Sequence, residues 1–178
     1  TRSEPIRLPT IIVSPTTLLY NWLTEIERFA PGLSASVIIG SRAVREKSLE
    51  DALESGKDII ITSFPLLRQD IGLYKDIRFR FAVLDEAQNL KNFTSQTARA
   101  AKRLDARTRL ALTGTPMENN VSELWSLFDF VLPGYLDTAR DFLRKYEDGR
   151  YAEELRMRIR PFLMRRLKSD VMAELPDK

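Results

Sequence analysis

Four short apolar runs punctuate the chain: Ile11-Ile12-Val13, Val37-Ile38-Ile39, Ile59-Ile60-Ile61 and Phe81-Ala82-Val83-Leu84, with a weaker fifth at Leu110-Ala111-Leu112. They are rich in β-branched residues and do not alternate apolar with polar. Strands covered on both faces of a parallel sheet read this way. Helical patterns fill the intervals. Thr16 or Thr17 can cap a helix through residue 29, with Leu18, Leu19, Trp22, Leu23, Ile26 and Phe29 on one stripe and Pro31-Gly32 to end it. Ser41 can cap a second helix ending near Ser55-Gly56. Pro65 suits the first turn of a short helix through Arg68, and Ser95 can open another through Leu104. Strand and helix in alternation predict an α/β fold with right-handed crossovers.

Beyond Thr113 only helical stretches remain, at 121–131, 138–146 and 151–159, punctuated by Pro133-Gly134 and Asp148-Gly149. Pro161 breaks the last of them. The pattern predicts one sheet-based body over residues 1–134 and a helical extension over 135–178.

Composition narrows the chemistry. The 178 residues contain neither Cys nor His, so disulfides, thiolate or imidazole metal sites and His-based triads are excluded. Acid–base work must rest on carboxylates, Lys, Tyr or a bound hard cation. No apolar run approaches the ~20 residues that span a bilayer, and the polar start Thr1-Arg2-Ser3-Glu4-Pro5 reads as no leader. No membrane partner is expected. The net charge of +3 is modest. Arg and Lys crowd the segment 140–168, which on charge alone reads as a solvated amphipathic helix rather than a nucleic-acid face.

Four motifs fall where strands end, the edge at which open α/β sheets place ligands. In Val83-Leu84-Asp85-Glu86-Ala87-Gln88 a hydrophobic strand delivers two adjacent carboxylates. Mg²⁺ favours carboxylate oxygens and retained waters, and Asp85 is placed to hold it. A second carboxylate, Glu86, can orient and deprotonate an attacking water. The hydroxyls of Thr113 and Thr115, in Thr113-Gly114-Thr115-Pro116, could sense a phosphate or bond the carboxylates; an ordinary strand-to-loop turn explains them equally well. Ser14-Pro15-Thr16 suits a phosphate contact at a helix start, or simply a helix cap. Thr62 and Ser63 repeat that choice on a neighbouring strand. Ser55-Gly56-Lys57 imitates the end of a phosphate-binding loop, but Asp58 follows it and a helix precedes it, the inverse of the required order.

Together these motifs resemble the first motor lobe of helicase superfamily two, specifically the SWI/SNF-type DNA-translocase ATPases. Asn21-Trp22 in the first helix, Asp85 to Asn92 with Gln88 where His is more usual, Leu112 to Asn120, Glu123-Leu124-Trp125, and Arg165-Arg166, Lys168 and Asp170-Val171 carry the likeness. The resemblance implies a three-layer RecA-like parallel sheet that binds Mg²⁺-ATP against a second lobe of the same parent chain and tracks along double-stranded DNA. It implies Asp85 as the Mg²⁺ residue and Glu86 as the catalytic carboxylate. Gln88, Thr113, Gly114 and Thr115 would link nucleotide to DNA. Ser14, Pro15, Thr16, Thr62, Ser63, Lys91, Asn119 and Asn120 would lie on the DNA backbone. Trp22 and Trp125 are assigned to packing.

The family's Gly-Lys-Thr phosphate loop and its strand do not occur in these residues. The span alone is therefore expected to be catalytically silent, and its 110–112 strand to have an open edge suited to a dimer. A non-catalytic DNA- or protein-binding scaffold on the same fold is the alternative reading. An RNA helicase lobe is a third, against which the Glu123 to Phe128 and Arg165 to Val171 segments weigh. The expected location is cytoplasmic (bacterial, nucleoid-associated), with a nuclear one as the alternative.

Overall fold

The structure, a computed structural model, describes residues 8–90, 92–114 and 120–164. Five strands form one parallel sheet: β1 (Thr10–Ser14), β2 (Ala35–Val37), β3 (Ile59–Ser63), β4 (Arg78–Leu84) and β5 (Asp105–Ala111), in the spatial order β2-β3-β1-β4-β5. The expected α/β parallel-sheet class is what is found. Alternate residues of each strand point to opposite faces. Ile12, Ile59 and Ile61 face one layer, where they meet Leu19 and Ile26 of α1 (Leu19–Phe29). Ile11, Val13, Ile60, Ala82 and Leu84 face the other. There they share a core with residues of α2 (Arg42–Glu54), α3 (Phe64–Asp70), α4 (Gln96–Lys102) and α5 (Val121–Val131).

Several local signals act as expected. Ser41, Ser63 and Ser95 each accept a backbone N–H of the helix they precede. Others do not. Thr16 and Thr17 form no side-chain cap; residues Thr16–Leu18 make a 3-10 turn that runs into α1. Phe29 is 71% exposed rather than on the buried stripe. At 3.6 residues per turn it lies about 80° around the helix from Leu19, off the sheet-facing side, and Arg28 covers its ring at 5.0 Å. Strand β2 ends at Val37, before the apolar run does. Ile38 is still buried and donates to Ile61 O (2.8 Å), but the chain then turns away through Gly40 at φ +103°. Helix α4 stops at Lys102, two residues short of Leu104, because β5 starts at Asp105.

Strand β5 is longer than its apolar core and pairs with β4 alone, so it is an edge strand among the described residues. Leu110 and Leu112 are 45% and 43% exposed there.

A buried ion pair joins two of the helices. Arg45 of α2 reaches Asp70 at the end of α3 through two bonds, Nε to Oδ2 at 2.5 Å and Nη2 to Oδ1 at 2.9 Å. Its Nη1 donates to Gly40 O at 2.6 Å.

The chain divides into two compact units between Ala139 and Arg140. The division falls beyond the Pro133-Gly134 turn, where Trp125 Nε1 donates to Asp137 O at 3.3 Å and ties that stretch to α5. In the second unit α6 (Ala139–Tyr146) and α7 (Ala152–Ile159) are joined by Glu154, which accepts from Tyr146 Oη at 2.8 Å and pairs with Lys145. No helix among the described residues is long and apolar enough to cross a membrane.

Candidate functional site

The parallel register brings the ends of β1, β3, β4 and β5 to one edge. Ser14 lies beside Ser63, Val13 beside Leu84, and Leu84 beside Ala111. Asp85 is the first residue past β4, and its N–H still donates to Val13 O at 2.8 Å. The backbone then bends sharply. Glu86 has φ +50°, a left-handed conformation uncommon outside glycine. Its carbonyl accepts from both Asn89 N (3.0 Å) and Asn89 Nδ2 (2.7 Å), which closes the turn.

Both carboxylates are half-buried and hydrogen-bonded. Asp85 Oδ1 accepts from Glu86 N at 3.0 Å, and Oδ2 accepts from the indole Nε1 of Trp22 at 2.9 Å. Glu86 Oε2 accepts from Gln88 Nε2. The amide's other end, Gln88 Oε1, accepts from Thr113 Oγ1 at 2.9 Å. Only this orientation serves both partners, because a carboxylate accepts and cannot donate. Gln88 thus bridges a carboxylate after β4 to a hydroxyl after β5. Gly114 is exposed, with open space where a Cβ would stand.

The expected nucleic-acid residues divide. Ser14, Thr62 and Ser63 are fully buried, which corrects their assignment as backbone contacts: a side chain without exposed surface cannot meet a phosphate. Ser63 caps α3 instead, accepting from Leu66 N at 3.4 Å. Asn120 is exposed, but its Oδ1 is committed to the N-cap of α5, accepting from Ser122 N and Glu123 N at 3.1 Å each. Pro15 and Thr16 remain accessible. They line a cleft of about 300 Å³ together with Phe64, Arg68, Asn89 and Thr97. Lys91, Thr115 and Asn119 lie outside the described residues.

Arg68 and Asn89 were not singled out by sequence. The sequence marks Arg68 only as the end of a short helix, and the β1–β3 pairing brings that helix to the side of the sheet edge where Thr16 lies. The cleft does not include Asp85 or Glu86. Asn89 links the two places, since it lines the cleft and holds the Glu86 carbonyl.

Among the described residues no three acidic side chains gather into a metal cage. One carboxylate at a strand end suits Mg²⁺ better than Ca²⁺, because Mg²⁺ keeps several waters and is held by one or two carboxylates plus substrate phosphates. Each oxygen of Asp85 accepts one bond and retains a further lone pair. The donor set at Asp85 fits that ion.

The site is thus the edge of a parallel sheet at which paired carboxylates after β4 are joined through Gln88 to a hydroxyl after β5. The chain belongs to the SNF2-related domain family, which matches residues 2–178. It is 40% identical over 176 residues to an uncharacterized ATP-dependent helicase of Mycoplasma pneumoniae, covering 97% of this chain and 17% of that one. It is 39% identical over 200 residues to the TATA-binding protein-associated factor MOT1 of Saccharomyces cerevisiae, covering 100% of this chain and 10% of the relative. Among solved structures it matches the Sulfolobus solfataricus SWI2/SNF2 ATPase core in complex with dsDNA. That match has 37% identity and a TM-score of 0.82, and covers 93% of this chain and 35% of the other. The chain therefore spans less than a fifth of the curated relatives it matches and about a third of that core.

Proposed function

We propose that this lobe serves an ATP-dependent motor that translocates on double-stranded DNA. The observation that carries the reading is the continuous relay from Glu86 through Gln88 to Thr113, set at the strand edge beside the Thr16–Arg68 cleft. In this reading Asp85 would hold the magnesium of a bound nucleotide, which would supply positive charge against the phosphates. Glu86 Oε1, which has no bond among the described residues, receives the proton of the attacking water. Gln88 keeps the carboxylate aimed. Thr113 and Gly114 report the nucleotide to the loop after β5. The likeness to a core solved with dsDNA supports duplex DNA as the track.

The experiment is stimulation of the full-length ATPase by duplex DNA and, separately, by RNA. Strong stimulation by duplex DNA and little by RNA is expected. Equal stimulation by both would return the RNA-helicase reading, and none by either would favour a scaffold.

The cleft gives a finer test. Arg68→Ala should weaken DNA binding nearly equally for all sequences and lower the slope of log affinity against log salt by about one. Thr16→Ala should weaken binding and leave that slope unchanged, because a hydroxyl releases no counterion. An unchanged salt slope for Arg68→Ala would remove the cleft from the DNA path.

The 178 residues contain no Gly-Lys followed by Thr or Ser. Nothing in them supplies the backbone cradle that such a loop gives to nucleotide phosphates. We expect no DNA-stimulated hydrolysis from this span in isolation. A phosphate-release assay on it decides the point, and turnover above background would contradict the expectation.

A further inference from the structure

We infer that Trp22 is a positioning residue for Asp85: its indole N–H fixes Asp85 Oδ2 and sets the carboxylate's aim toward the metal of the bound nucleotide. This rests on the reading of Asp85 as the magnesium ligand.

Packing accounts for only part of this side chain. The ring of Trp22 lies against the cluster of Ile12, Leu19, Ile26 and Ile61, as a phenylalanine ring also could. What phenylalanine lacks is a donor. The indole has one N–H and no acceptor, so it can hold a carboxylate but never compete with it for a cation. It reaches across 63 residues to Oδ2 at 2.9 Å, within the range of charge-assisted bonds.

The rest of the geometry leaves Trp22 as the outer restraint on the acid. Asp85 N is anchored to Val13 O, which fixes the Cα. Oδ1 is held by the neighbouring Glu86 N, and this bond moves with the turn. Oδ2 is held from another element altogether, the first turn of α1. The two donors occupy one lone pair on each oxygen and leave the others directed away from the protein bonds. A carboxylate restrained at both oxygens presents a ready ligand to a small cation that demands near-ideal octahedral geometry.

The same helix carries the inference toward the DNA cleft. Trp22 lies six residues after Thr16, in the continuous 3-10 turn and helix Thr16–Leu18 and Leu19–Phe29. A residue that lines the cleft and the donor on Asp85 thus belong to one continuous element.

The test measures metal-dependent nucleotide affinity in the full-length protein. ATPγS binding is titrated calorimetrically with Mg²⁺ and with EDTA, and the ratio of the two affinities isolates what the metal adds. Three proteins are compared with the unaltered one: Trp22→Phe, Asp85→Asn, and a protein carrying benzothienylalanine at position 22 alone, which keeps the indole's shape and removes its N–H. Loss of an outer-shell bond typically costs 10–100-fold in metal affinity. Trp22→Phe and the isostere should each cut the Mg²⁺-dependent gain about tenfold, with EDTA affinity unchanged. Asp85→Asn should cut it at least as far.

If Asp85→Asn lowers the gain and the isostere leaves it within about twofold, Trp22 acts by packing and the inference fails. This holds even if Trp22→Phe lowers the gain or does not fold, since shape and not the N–H would then be the cause. If Asp85→Asn leaves the gain intact, the reading of Asp85 itself falls, and the inference with it.

Discussion

Replacing Glu86 by Gln in the full-length protein should lower ATP turnover by about 10²–10⁴-fold while nucleotide affinity stays near its starting value. The substitution keeps the shape of the side chain and removes the carboxylate that the proposed function assigns to the proton. It also changes the local bond: the carboxylate that accepted from Gln88 Nε2 becomes an amide, whose oxygen can still accept from it. The turn should therefore survive. Single-turnover hydrolysis and equilibrium binding of nucleotide, measured side by side, check the prediction. Equal loss in both would show that Glu86 shapes the pocket and does not handle the water. Gln88→Leu is the informative companion. It leaves the carboxylate in place but cuts its bridge to Thr113, so DNA stimulation should fall further than turnover without DNA.

Arg45→Ala is expected to have the largest effect on stability, about 3 kcal/mol. The Arg45 and Asp70 side chains retain 7% and 2% of their exposure. Truncating the arginine leaves the Asp70 carboxylate buried without its two donors, and Gly40 O without the Nη1 donor. Thermal or denaturant unfolding of the parent protein, followed for the transition of this lobe, measures it. The double change Arg45→Met, Asp70→Leu should recover most of the loss, because no charge is then left without a partner. A single variant as stable as the starting protein would mean that water reaches Asp70.

Much of the fold was legible because its strands are buried on both faces and its helices are capped by side chains. The three isoleucines at 59–61 admit few readings, and Ser41 and Ser55-Gly56 bracket α2 closely. Strand β5 was only half legible. Its Asp105-Ala106-Arg107-Thr108-Arg109 stretch is largely polar, as an edge strand's can be, and apolar content alone marks just its end. The site divides in the same way. Asp85 and Glu86 stand out by being adjacent after a buried strand. The Trp22 bond and the Thr113–Gln88 bond do not, since they join residues 63 and 25 positions apart and depend on strand order. Ser14, Thr62 and Ser63 were misread for a related reason. A hydroxyl at a strand end looks the same in sequence whether it faces a ligand or the interior, and here all three are fully buried.

The left-handed backbone at Glu86 has a consequence for how such a lobe evolves. A non-glycine residue held there costs of order 1–2 kcal/mol, and glycine would adopt the same angles without that penalty. On the proposed role of Glu86, selection for foldability and selection for proton transfer pull against each other at a single codon. Descendants of this domain released from hydrolysis should drift at that position toward Gly or Asn, and would lose turnover while becoming no less stable. The identity of residue 86 in a relative, taken with the backbone angle it must adopt, thus records which of the two pressures still acts.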